Sequence, residues 1–322
     1  RMAACGVCGT DLEKIRGNYR SAGVLGHEPV GVIEQLGAEV TGLSEGDRVF
    51  VHHHVPCYQC AVCARGAYSY CPSYSKTNID PGGFAERFRV PKANVERHAI
   101  LRLDPSVSWE EGALLEPAGC ALTALRSIGF QPGSRVIVLG LGPVGLLYAR
   151  LARALGASWV GGSEMSALRR AAARQGGIDV AVDPTEPGAV KSAVDTATGG
   201  VGVDVAVVAT GAPAAIRTAY ELPRRGGTLN LFGLPERGQR LEADLQELYL
   251  RGIRLVPSYA TSEPDIAEVQ RLLVAGKLAV KDLVTHRVGL DDLAGAFHLA
   301  GTPATAIKVV VTGPAFDQAR GG

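Results

Sequence analysis

Residues 135–145, Arg-Val-Ile-Val-Leu-Gly-Leu-Gly-Pro-Val-Gly, constrain the fold more than any other stretch of the chain. A short buried-strand run ends at Gly140, and helical spacing begins at once over residues 144–155. In such a strand–turn–helix unit, Gly140 permits a tight turn and Gly142 lets backbone approach a pyrophosphate. Gly145 then allows close helix–strand packing. The helix N-terminus behind Pro143 and Val144 faces the phosphates with unpaired N–H groups. The glycine spacing alone is a weak signal; the strand before it and the helix after it supply the context it needs.

The same rhythm continues downstream. Strands are expected at 158–162, 203–209, 228–232 and 254–257, and helices at 167–175 and 264–275. Strands alternating with helices of this length predict a doubly wound parallel sheet. In that architecture an acidic residue ends the second strand roughly 20 residues on and holds a ribose 2′-hydroxyl. Glu164 fits. Its charge repels a 2′-phosphate and favours NAD, while Ser163, Arg169 and Arg170 leave room for NADP; Arg169 alternatively lies against the adenine or ribose. Thr210, Gly211 and Gly233, at the ends of later strands, are expected near the nicotinamide, because ligands lie beyond the strands' carboxyl ends.

The first third of the chain reads differently, as short strands at 49–51 and 84–90 separated by Gly- and Pro-rich turns. After residue 276 the pattern shortens into mixed pieces that end in a strand at 307–311. With 322 residues, at roughly 100–200 per domain, two domains are predicted. The expected division is a mainly β domain at 1–122, a dinucleotide domain at 123–276, and a return to the first domain at 277–322. The chain opens inside what reads as a strand, so further strands are expected upstream.

Net charge is +1, from 33 basic and 32 acidic residues, which argues against a phosphate-tracking surface and hence against a nucleic-acid partner. No apolar run reaches membrane-spanning length, and no membrane partner is expected. Of seven cysteines, four form Cys57-x2-Cys60-x2-Cys63-x7-Cys71. An odd total in a chain of this size indicates metal binding rather than a disulfide framework, and a reducing cytoplasmic compartment. Four thiolates close a tetrahedral zinc shell and leave no vacancy, so this site is predicted to be structural. Iron–sulfur ligation is disfavoured by the last gap.

A second set is scattered: Cys8 in Cys-Gly-Val-Cys-Gly-Thr-Asp, His27 and Glu28 in Gly-His-Glu-Pro, and Glu116 in Leu-Leu-Glu-Pro. Cys, His and carboxylate are the groups from which a catalytic zinc draws its three ligands. Taken singly, each has an ordinary reading as a packed thiol, a loop histidine or a solvated charge.

Together, CGVCGTDL, GHEPVGVIEQLGAEVTGLSEGDRV, the four-cysteine lobe and GLGPVG occur in the order found in the zinc-containing medium-chain alcohol dehydrogenases. The chain resembles that family over essentially its whole length. It is most similar to the polyol (sorbitol) and threonine dehydrogenase branch, since Leu-Glu-Pro stands where other members have a cysteine ligand. The resemblance implies a GroES-like catalytic domain beside the Rossmann domain, and two zinc ions per chain. It implies Cys8 and His27 as catalytic ligands, with Glu28, Glu116 or both completing the shell. It also implies Asp11 as the residue that orients the histidine, and Thr10 as a proton-relay hydroxyl. Glu13 stands where relatives commonly have the histidine at the outer end of that relay. Cys5 and Cys120 are assigned to packing. The implied activity is hydride transfer between NAD(P) and a secondary alcohol, whether polyol, sugar, cyclitol or amino alcohol. The alternatives are L-threonine 3-dehydrogenase and a non-catalytic zinc scaffold. A homo-oligomer, dimer or tetramer, is expected, with 228–233 and 254–257 offering an edge for pairing.

Overall fold

A computed structural model describes residues 1–17, 24–235 and 237–317. The chain forms two compact units, residues 1–119 with 260–322, and residues 120–259.

The first unit is built on β1 (Met2–Gly6), β2 (Glu28–Val32), β3 (Arg48–Val51) and β4 (Ile100–Arg102). In the second unit, β5 (Arg135–Leu139), β6 (Trp159–Ser163) and β7 (Val180–Val182) lie on one side of the sheet's centre. On the other side are β8 (Val203–Val208), β9 (Pro223–Leu231) and β10 (Arg254–Pro257). The chain then returns to the first unit with β11 (Val284–Gly289) and β12 (Lys308–Thr312).

The first sheet runs β11-β12-β1-β2-β3-β4, antiparallel except for the β11–β12 pair. This order sets β1 between β12 and β2, so residues far apart in sequence flank one strand. The second sheet is wholly parallel in the order β10-β9-β8-β5-β6-β7. Its connections reverse direction between β5 and β8, the switch point at which such sheets bind dinucleotides. Four of the five residues of β5 are buried, as a parallel strand covered on both faces requires.

Three expectations are corrected. Residues 84–90 do not form a strand. Their recorded pairing is an isolated bridge, Asp80 with Arg89, and one bond from the Met2 amide to the Glu86 carbonyl. Pro81-Gly82-Gly83 on one side and Pro91 on the other leave too short a run for a ladder. Helix Glu263–Val274 belongs to the first unit, so the return comes at residue 260 rather than 277. Its Gln270 bonds the Asp104 amide and the Arg102 carbonyl, and Ile266 lies against Gly119. Finally, 228–233 offers no edge, because β9 is paired on both sides and the edge falls to β10.

Candidate active site

The four-cysteine lobe folds as a set of tight turns. Sulfur-to-sulfur distances are 3.5 Å for Cys57–Cys71, 3.6 Å for Cys60–Cys63, 3.9 Å for Cys60–Cys71 and 4.0 Å for Cys57–Cys63. A zinc tetrahedron with Zn–S bonds of about 2.3 Å has edges of about 3.8 Å, so these sulfurs already stand at ligand spacing. The Gln59 and Cys60 amides donate to the Cys57 sulfur and pull its pKa down to about 6. A thiolate is the form that binds metal. No disulfide forms among the described cysteines.

The second set assembles on the first sheet. β1 ends at Gly6, and Cys8 starts helix Gly9–Ile15 in extended conformation. Asp11, at the third position of that helix, is fully buried. One of its oxygens accepts the Cys8 amide at 3.0 Å; the other accepts the Gly26 amide at 3.1 Å and lies 3.2 Å from His27 Nδ1. Burial opposes the charged form of Asp11, but His27 and these two amides outweigh it and hold the carboxyl below its usual range. Asp11 therefore fixes the His27 ring through Nδ1.

Cys8, His27 and Glu28 each offer a ligand atom, all within 4.8 Å of one another. Glu28 opens β2 and is fully buried. One of its oxygens pairs with Lys308 Nζ, while Oε1 is buried with no hydrogen-bond partner. A buried carboxylate oxygen left unpaired is costly unless something binds it. The residues fit a divalent ion.

Glu116, 6% exposed in helix Leu115–Ser127, clusters instead with His52 and His53 at the same 4.8 Å limit. The two clusters adjoin, since the His53 and His27 rings are 5.1 Å apart. His52 is fixed by Glu263 at 2.7 Å on Nδ1 and by the Tyr74 hydroxyl at 3.3 Å on Nε2. His53 Nδ1 is buried and unpartnered. Burial, reinforced by its histidine neighbours, pushes the His53 pKa well down, so its ring is neutral. Cys5 is a fully buried thiol packed with Met2, Val7 and Val309. Cys120 lies half-buried in the helix of Glu116.

In the second unit, Gly140 takes φ +91°, which an L side chain resists, and a Cβ at Gly145 would lie 2.0 Å from the Gly140 carbonyl oxygen. Gly142 caps helix Pro143–Ala154, with Pro143 and Val144 in its first turn. Glu164 accepts the Leu141 amide on one oxygen and the Ser166 amide on the other, both at 3.0 Å, which places its carboxylate at the glycine turn. The Arg169 guanidinium lies 3.7 Å from where a side chain on Gly142 would begin. Arg170 is committed elsewhere, to the Glu164 and Met165 carbonyls and to Asp183. A Cβ on Gly233 would meet the Thr210 amide at 2.5 Å, and one on Gly140 would meet the Thr210 side chain at 3.1 Å. The turn, Thr210 and Gly233 therefore converge at the switch point.

The alcohol dehydrogenase GroES-like domain matches residues 1–99 and the zinc-binding dehydrogenase domain matches residues 143–275. Sorbitol dehydrogenase of Bacillus subtilis is 32% identical over 318 residues, 93% of this chain and 85% of the relative. L-Threonine 3-dehydrogenase of Pyrococcus abyssi is 32% identical over 311 residues, with 93% and 86% covered. The chain is a zinc-containing medium-chain dehydrogenase. The fold agrees: a zinc-binding dehydrogenase structure from Sinorhizobium meliloti, solved with NADP bound, superposes with a TM-score of 0.86. The two are 27% identical, with 97% of this chain and 90% of that one covered.

For this dehydrogenase the residues that sequence reasoning missed are His52, His53 and Lys308. Three of the seven histidines stand consecutively at 52–54, immediately beyond β3 and ahead of the cysteine lobe; that run was the available signal. Thr10 sits half-buried in the first turn of helix Gly9–Ile15. Glu13 accepts from Arg16 at 2.8 Å in a partly exposed pair, so its carboxylate is engaged at the surface.

Proposed function

We propose that the chain is an NAD-preferring dehydrogenase of polyols or related secondary alcohols. In this reading Cys8, His27 and Glu28 hold the catalytic zinc, and Glu116 stands in the adjoining cluster with His52 and His53. Cys57, Cys60, Cys63 and Cys71 hold the structural zinc. The observation that carries it is the Cys8–His27–Glu28 cluster, with a histidine already oriented by Asp11 and a buried carboxylate oxygen lacking a partner. When bound, zinc makes an alcohol hydroxyl acidic and the dinucleotide accepts the hydride.

The chain's own side chains do the rest. Asp11 holds the His27 tautomer. Thr10, two residues beyond Cys8, passes the hydroxyl proton outward without itself becoming charged. His53, neutral and with a free ring nitrogen, bonds a second hydroxyl of the substrate. That last feature favours a polyol over L-threonine. An amino acid carboxylate needs a cation, and Lys308, the buried cation of this cluster, is committed to Glu28. A panel of polyols, sugars, cyclitols and L-threonine assayed with NAD tests the reading. Turnover confined to L-threonine contradicts it.

The preference for NAD rests on Glu164, whose carboxylate sits at the glycine turn, and on the commitment of Arg170 to carbonyls and Asp183. Glu164→Ala is expected to raise KM for NAD about tenfold, the ~1.4 kcal/mol of one hydrogen bond to a charged group. The gap to NADP should narrow with it. An unchanged NAD/NADP ratio assigns discrimination to another residue.

Among the described residues, no helix is long and apolar enough to cross a membrane. Self-association through β10 is part of the same reading. Leu255 on this edge strand and Leu245, Tyr249 and Leu250 on helix Leu245–Arg251 are all exposed. The edge is short, four residues ending in Pro257, and the exposed apolar side chains beside it are what this reading relies on.

A further inference from the structure

We propose that Lys308 sets how Glu28 engages the catalytic metal. It claims one carboxylate oxygen, leaves only the other for the ion, and so keeps a coordination position open for substrate. This rests on the reading of Glu28 as a ligand.

The geometry is unusual for a structural ion pair. Lys308 is the first residue of β12 and Glu28 the first of β2, and both strands flank β1. Their side chains meet across β1 at Gly6. A Cβ there would lie 1.9 Å from Glu28 Oε2 and 2.9 Å from Lys308 Cε, so a bare glycine is what admits the pair. Lys308 is 2% exposed and Glu28 not at all. Burying two such charges is a poor route to stability, because desolvation rivals their attraction. The arrangement is poorer still in this case, since Oε1 is buried without a hydrogen bond. A pair serving the fold alone would satisfy both oxygens. One oxygen fixed by an ammonium and the other bare, on a carboxylate grouped with Cys8 and His27, is what single-oxygen ligation requires.

Charge balance points the same way. Cys8 and Glu28 would bring two negative charges to one divalent ion, and Glu116 of the adjoining cluster adds a third to the field around Lys308. Lys308 supplies a compensating positive charge through its contact with Glu28. Without it, Glu28 is free to turn both oxygens onto the metal and occupy the position that substrate needs.

The test uses the full-length protein loaded with cobalt(II), whose visible bands report coordination number, and measures chelator-driven metal loss alongside. Lys308→Met is expected to weaken the ligand-field bands, as higher coordination does. It should also slow loss of the catalytic ion about tenfold, the size of many outer-shell effects but opposite in direction to the usual loss, and lower kcat while KM for NAD holds. In Lys308→Met/Glu28→Gln the added effect of Lys308→Met should disappear, leaving the bands and release rate of Glu28→Gln alone, because an amide does not chelate as a carboxylate does. Lys308→Gln keeps one donor for Glu28, so it folds if the methionine variant does not. It should shift bands and release in the same direction by a smaller amount. Parental bands and release rate in whichever of the two variants loads cobalt overturn the proposal. Glu28→Gln alone with parental bands overturns instead the assignment of Glu28 as a ligand.

Discussion

Cys8→Ser and His27→Ala chains are expected to fold, to retain one zinc of two, and to lose turnover by about a thousandfold or more. A bound metal contributes several kcal/mol to such reactions, and each ~1.4 kcal/mol is tenfold in rate. The fold survives for a local reason. Cys8 gives its backbone amide to the Asp11 carboxylate, and that bond persists with serine. In His27→Ala the buried Asp11 loses one contact but keeps the Cys8 and Gly26 amides, so it is not left an isolated charge. Steady-state kinetics, circular dichroism and metal content measured on the same preparation separate these effects. Near-parental turnover in either variant would remove Cys8 or His27 from the catalytic set.

Cys60→Ser is expected to do the reverse and strike stability before chemistry. The lobe has little apolar substance of its own. Cys63, Cys71 and Tyr74 are its buried cluster, with the other two cysteines, Tyr68 and Ala260 packed around them. Structural zinc binding in small modules is itself folding free energy, on the order of 10 kcal/mol. Losing even a third of that lowers Tm by about 10 °C at 2–4 °C per kcal/mol. Thermal unfolding and limited proteolysis between Cys57 and Cys71 are the measurements. A parental Tm with full zinc content would show that three cysteines suffice or that the ion is not there.

These two variants are informative together because their sites were not equally legible. The lobe is local. Four cysteines within fifteen residues state their chemistry by spacing, and folding changes nothing but their coordinates. The glycine turn is also local, and β5 and helix Ala167–Gln175 fall where the pattern of apolar residues placed them. The catalytic cluster is not local. It depends on β12, β1 and β2 lying side by side, which brings residue 308 against residue 28. In the sequence Lys308 is only a polar residue opening a valine-rich strand, the ordinary position of a solvated charge. His53 was hidden differently, in a run of three histidines whose spacing says nothing of the fold that sets its ring against His27.

The choice between Glu28 and Glu116 shows the same limit. Both follow the pattern of a ligand carboxylate, and only the sheet separates them by pairing one with Lys308 and setting the other beside His52 and His53. The misplaced strand at 84–90 has the opposite origin. The β character read there was interrupted by Pro81-Gly82-Gly83 on one side and Pro91 on the other, which withheld the partners a ladder needs.

Quantitative metal analysis of the freshly purified chain and of Cys8→Ser is the most direct test of the whole account. The parent should carry two zinc ions per chain and the variant one, with its thermal stability kept. A single ion per chain, equally present in both proteins, would leave the cysteine lobe as the sole metal site and contradict the catalytic centre described here.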